Sequence, residues 1–218
     1  MVNTLRRLAL TAGAAAAAFA LTVLPASANA STTWTVGPNA YSPFTATSVS
    51  SVELTFPPPN TPSSSFAVHC TSSSLGGLLS SATGNPAEVG QVTAMAFGIN
   101  ACTYPPVIGL VGVVATGPMH FIAEDYASGV TSGHIDAISI QITWGACQFT
   151  EVGQASATYR NSTARLSVRS TAGQLAVVNP TPGCAPLVTT DRVPTIRAEY
   201  TVVASGTTLF PTLVGSNP

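Results

Sequence analysis

Apolar and polar residues alternate with a period of two along most of the chain. Val52, Leu54 and Phe56 are separated by Glu53 and Thr55. Phe66, Val68 and Cys70 alternate with Ala67 and His69, which turns Cys70 toward the core and His69 away from it. Ile138, Ile140, Ile142 and Trp144 alternate with Ser139, Gln141 and Thr143. Ala155, Ala157 and Tyr159 lead into Arg160-Asn161-Ser162-Thr163, after which Ala164, Leu166 and Val168 resume the alternation. That pattern predicts a hairpin with its turn near Asn161. Ile196, Ala198, Tyr200 and Val202 form a further run. Clean period-two runs mark strands with one wet face, hence antiparallel sheets. The phase slips between Ile135 and Ile138, which predicts a bulge around Asp136-Ala137. Residues 107–116 are continuously apolar, rich in β-branched side chains, interrupted by glycine and followed by Pro118, which predicts a buried strand. Residues 31–218 contain no helical stripe of useful length. Roughly nine to eleven strands are expected, the signature of an antiparallel β-sandwich, with a closed or partly open β-barrel as the alternative.

The first thirty residues read differently. Asn3 to Arg7 form a short n-region with Arg6 and Arg7 adjacent, Leu8 to Leu24 is an Ala/Leu-rich run, and Ala28-Asn29-Ala30 supplies small residues for cleavage. These are the three parts of a secretory signal in order, so residues 1–30 are expected to be a signal peptide, with the mature chain beginning at Ser31. Paired arginines leave both general secretion and twin-arginine export open. Residues 31–218 form a single β domain, with residues 57–65 joining two strands rather than two domains. All four cysteines, Cys70, Cys102, Cys147 and Cys184, lie in the exported part. An even count in an oxidising compartment reads as disulfides. Three connectivities exist; the sequential pairing Cys70–Cys102 and Cys147–Cys184 is favoured. Zinc-motif spacing is absent.

Composition narrows the function. Charged residues are 7% of the chain, and all seven cations are arginines. Loss of Arg6 and Arg7 leaves five arginines against eight acids, a net charge of −3. No basic excess exists for binding phosphate backbones, so nucleic acid is excluded as a partner. No transmembrane helix is expected in the mature chain, and no lipidation cysteine lies in the signal. Gly and Pro, 18 and 17 residues, are too few for a collagenous or low-complexity chain.

Several segments resemble a group of small secreted proteins of actinobacteria with no agreed function. They are Tyr159 to Val168, Gly129 to Gly133 after Tyr126, Gly183 to Leu187 followed by Asp191, and Ala198 to Val202, together with the order of the four cysteines. The resemblance spans Cys70 to Val202 and departs at Pro118-Met119, where Pro-Trp is expected. It implies a four-cysteine β-rich fold and export, and carries over no catalytic or cofactor-binding residue.

Candidate chemistry is sparse. His134 and Asp136 share a strand face, with His120, Glu124 and Asp125 in the preceding segment. His120, His134 and Asp136 are therefore the candidate metal ligands, against the simpler reading of solvated face and turn residues. Serine hydrolysis would need an oriented base and an elbow motif, and no Gly-x-Ser-x-Gly is present. Spacing picks no pair among Glu53, Glu88, Glu124, Asp125, Asp136, Glu151, Asp191 and Glu199 for glycoside cleavage. Adjacent Glu124 and Asp125 would point to opposite faces of an extended strand. Asn161-Ser162-Thr163 is formally a glycosylation sequon, read here as turn chemistry in which Asn tolerates positive φ.

Three functional readings follow. The first is an exported structural or interaction protein of the cell surface or medium, without catalysis or cofactor, whose partners are the envelope or its own copies. The second is a barrel-like binder of an apolar ligand or envelope lipid, or a pore, using residues 107–122. The third is a hydrolase using the His/carboxylate group at 120–136. The location is secreted or extracellular, with envelope association open.

Overall fold

The computed structural model describes residues 32–58, 65–104 and 110–216. The expected signal peptide, most of the 57–65 connection and residues 107–109 of the apolar run lie outside them. The described residues form sixteen strands. In chain order the first eight are β1 (Thr33–Gly37), β2 (Tyr41–Ser48), β3 (Val52–Phe56), β4 (Phe66–Cys70), β5 (Ser73–Ser80), β6 (Ala82–Thr83), β7 (Ala87–Phe97) and β8 (Cys102–Thr103). The rest are β9 (Gly112–Ala115), β10 (Met119–Ala127), β11 (Val130–Trp144), β12 (Cys147–Arg160), β13 (Arg165–Arg169), β14 (Leu175–Val178), β15 (Thr195–Ala204) and β16 (Thr212–Ser216). The higher count than expected comes from short strands such as β6 and β8, too brief to leave a periodic signal.

Eight strands close on themselves. Every pairing is antiparallel along β13-β12-β11-β10-β7-β5-β2-β15, and β15 returns to β13 with Ser167 opposite Glu199. The all-β antiparallel class expected from the sequence is present, and closure makes it the barrel of the two architectures. Closing a sheet requires strands to bend, and bulges do the bending. Register shifts occur at Gly76/Gly77, at Phe121/Ile122 opposite Gly90, at Ala123/Asp125 beside Gly133, and at Ile135/Ile138 opposite Gly153. Three of these glycines are sterically required: a Cβ on Gly77 would lie 2.0 Å from the Gln91 carbonyl oxygen. A Cβ on Gly133 would lie 1.9 Å from the Ile122 carbonyl oxygen, and one on Gly153, at φ +140°, would lie 2.2 Å from that of Gln174. The bulge expected at Asp136-Ala137 is found, with Ala137 at φ 56°.

The sandwich expectation is met locally. β11 and β12 run past the barrel, where β9 and β14 flank them. A second layer, β3-β4-β8, has Phe56 and Phe66 stacked at 4.7 Å within it and faces this extension through edge-on rings, Phe56 and Phe149 at 5.3 Å and Phe66 and Trp144 at 5.9 Å. β9 is not the fully buried strand expected of an apolar run. It is an edge whose Val113 is buried while Val114 is 56% exposed.

The remaining sheet, β16-β1-β6, lies across the opposite end of the barrel. Thr131 Oγ1 and Asn161 Nδ2 both donate to the Leu213 carbonyl, at 3.0 and 2.9 Å, and Asn161 Oδ1 accepts from Leu213 N–H at 2.8 Å. Asn161 thus serves the hairpin differently from expectation. The positive-φ residue of the turn is Ala164, at 51°, and Asn161 clamps β16 with its side chain.

Both disulfides have the sequential pairing, Cys70–Cys102 across the β4–β8 ladder and Cys147–Cys184 from β12 to the turn Pro182–Cys184. They close 32 and 37 positions, worth roughly 4 kcal/mol each on the chain-entropy account. Such bonds belong to an oxidising, extracytoplasmic setting. No helix among the described residues is long and apolar enough to cross a membrane.

Candidate functional site

The alternation of each strand decides what lies inside the barrel and what lies outside. Leu75, Val92, Met119, Ile135, Ile138 and Tyr200 point inward and meet around an apolar cavity of ≈ 30 Å³. That is room for about one or two waters and for no lipid or cofactor. Outward positions are mostly Ser, Thr, Gln and charged residues, as along Thr45 and Thr47 of β2 and Ser156 and Thr158 of β12. Apolar inside and polar outside is the reverse of a lipid-spanning barrel, whose apolar band faces out.

The outer wall at β7-β10-β11 carries the histidines singled out in the sequence. His120 stands opposite Asp136 in register, and its Nδ1 meets Glu88 Oε1 at 2.9 Å. His134 Nδ1 meets Glu124 Oε1, also at 2.9 Å. Asp136 instead accepts from the Ala137 N–H at 2.7 Å, within its own bulge. Among the described residues no three His, Cys, Asp or Glu gather as a metal site, so His120, His134 and Asp136 are neighbours held by separate partners. Glu124 and Asp125 are both exposed, because the bulge between Ala123 and Asp125 breaks the alternation that would have opposed them.

The wall at β12-β13-β15 carries a second concentration of charge. Arg160 stands opposite Arg165, Arg169 opposite Arg197, and between the two pairs Thr158, Ser167 and Glu199 share a row. Four of the five arginines of residues 31–218 therefore lie on one wall. Two open grooves run over it. One of ≈ 520 Å³ is lined by Val49, Thr158, Arg160, Thr163, Arg165, Ser167 and Glu199. The other, ≈ 190 Å³, is lined by Ser50, Ser51, Glu53, Arg169, Arg197 and, shared with the first, Ser167 and Glu199. Among the described residues these four arginine side chains make no hydrogen bond or ion pair, and Arg165 Nη1 is buried without a partner.

One carboxyl group is hidden. Glu151 is wholly buried on β12 between Ile140 and Val177 in register, and neither oxygen has a hydrogen-bond partner. Burial raises its pKa from 4.5 to about 8, so the group is protonated at neutral pH. Burial also pushes the Tyr159 and Tyr200 hydroxyls up to about 12. In the sequence Glu151 is one of eight acids of residues 31–218 among which spacing picks no pair. Its signal was its phase: Cys147, Phe149 and Glu151 occupy successive inward positions of one strand.

No family model, curated protein or solved structure matches the chain.

Proposed function

We propose that the chain is an exported interaction protein of the cell surface or medium, working through the outer wall of its barrel rather than through a site within it. The observation that carries this reading is the partition of the barrel. The interior is filled by side chains around ≈ 30 Å³ of space, while the outer wall holds grooves of ≈ 520 and ≈ 190 Å³ with unengaged arginines. Two disulfides fit a rigid scaffold that functions outside the reducing cytoplasm. The signal-like residues 1–30 and the actinobacterial resemblance agree with secretion. The test is rebinding of the purified mature protein to envelopes isolated from the producing cells. Saturable binding that weakens with salt is expected; a protein that never associates with envelope or medium polymers contradicts the proposal.

A hydrolase is the second reading, favoured by the two Nδ1-held histidines, since an oriented imidazole is half of a general-base arrangement. Replacing both His120 and His134 by alanine would abolish hydrolysis on that reading and leave envelope binding intact on the first.

A further inference from the structure

The arginine wall carries an inference that rests on the interaction reading and names its ligand class. Arginines directly opposite one another on paired strands place like charges about 5 Å apart at Cβ, which is destabilising unless something anionic sits between them. Here it occurs twice, at Arg160–Arg165 and at Arg169–Arg197. Glu53 stands opposite Arg197 and Glu199 opposite Ser167, yet no ion pair forms between these groups and the arginines. The wall carries four cations and two carboxylates, a local charge of 4 − 2 = +2. Residues 31–218 otherwise hold one arginine and six acids, of which buried Glu151 is protonated, leaving 1 − 5 = −4. A chain that is acidic elsewhere has thus gathered its cations on one grooved surface. Guanidinium pairs of this kind grip carboxylate, sulfate or phosphate oxygens bidentately.

The middle row selects among anions. Arg165 and Arg169 are four residues apart on β13, so the two cationic pairs are about 13 Å apart along the strand. Between them lie the hydroxyls of Thr158 and Ser167 and the carboxylate of Glu199. Glu199 repels an anion with charge at every link, such as a polyphosphate or a nucleic acid strand. It accepts hydrogen bonds from neutral sugar hydroxyls, as Ser167 and Thr158 also do. Neither groove is lined by an aromatic ring on which bases could stack. We infer that the β12-β13-β15 wall is a binding site for an acidic oligosaccharide, with anionic groups on alternate sugars seated at the two arginine pairs and a neutral sugar over Ser167 and Glu199.

The test is isothermal titration calorimetry on the oxidised mature protein with three probes: a hyaluronan hexasaccharide, in which carboxylated and neutral sugars alternate; a neutral N-acetylglucosamine hexamer; and inorganic polyphosphate. Hyaluronan hexasaccharide should bind best, with affinity falling several-fold from 50 to 200 mM salt. The exposed double variant Arg169→Ala/Arg197→Ala should lose at least ten-fold, and the corresponding double lysine variant only part of that, because it keeps charge without the guanidinium fork. Circular dichroism melts matching the parent would separate this loss from misfolding. Tighter, arginine-dependent binding of polyphosphate would show a surface that reads charge alone and overturn the inference. So would equal binding of the neutral hexamer, an unaffected alanine variant, or no binding of any probe. Envelope binding that persists while all three probes fail would sink the glycan assignment and leave the interaction reading standing.

Discussion

Replacing Glu151 by glutamine should stabilise the protein at neutral pH and do little at acid pH. The wild-type carboxyl is fully buried, unpartnered, and raised from 4.5 to about 8. Between those values the folded state holds a proton that the unfolded state has released, so stability falls as pH rises through this window. Below 4.5 both states are protonated and the cost vanishes; above about 8 both are ionised and the loss is complete. Each pH unit inside the window is worth ~1.4 kcal/mol. From pH 4.5 to pH 7.5 the wild type should therefore lose about 3–4 kcal/mol through this one group, whereas Glu151→Gln, which cannot ionise, should not. Urea unfolding followed by circular dichroism at the two pH values measures the difference. For a denaturant slope of about 2–3 kcal/mol/M, the wild-type midpoint should drop by about 1 M or more relative to the variant. Parallel pH dependence in the two proteins would refute the reasoning, because it would mean that the carboxyl is hydrated or paired in the folded state.

Other parts of the scaffold give further expectations. Asn161→Ala removes both side-chain hydrogen bonds to Leu213 and should cost about 1–3 kcal/mol, with faster amide exchange at Leu213; an unchanged melting temperature and exchange rate would show that β16 docks without the clamp. Gly153→Ala places a Cβ 2.2 Å from the Gln174 carbonyl oxygen at φ +140°, and should cost about 2 kcal/mol or more in chemical denaturation. A cost under about 0.5 kcal/mol would mean that the bulge relaxes freely.

Much of the strand layer was legible because a period of two states which side chains face inward. Val52, Leu54, Ile140, Ile142, Ile196 and Val202 are all buried, as their phase required. The Asp136-Ala137 bulge was legible for the same reason, since a slip in phase is itself a pattern. Periodicity does not state which strand lies beside which. Closure depends on the β13–β15 pairing and on bulges placed at glycines, and neither leaves a period. The arginine wall was hidden by that gap. Arg160, Arg165, Arg169 and Arg197 each sit at a polar phase; the predicted hairpin brings Arg160 opposite Arg165, but only closure through β13–β15 brings Arg197 beside Arg169. The histidines show the converse case. Their closeness in sequence suggested a shared site, yet Glu88 comes from β7 to hold His120, and Glu124 holds His134 separately. Asn161 carried a turn signature, but its side chain reaches a strand fifty-two residues away, which local chemistry could not reveal.

Native mass spectrometry of the protein purified from its own host's culture separates a filled barrel that works through its outer wall from a barrel that holds a ligand. The expected mass is lower by four hydrogens for two disulfides, with no apolar molecule retained within the barrel. A lipid or other apolar ligand carried at one per chain, and released only on unfolding, would contradict the filled barrel.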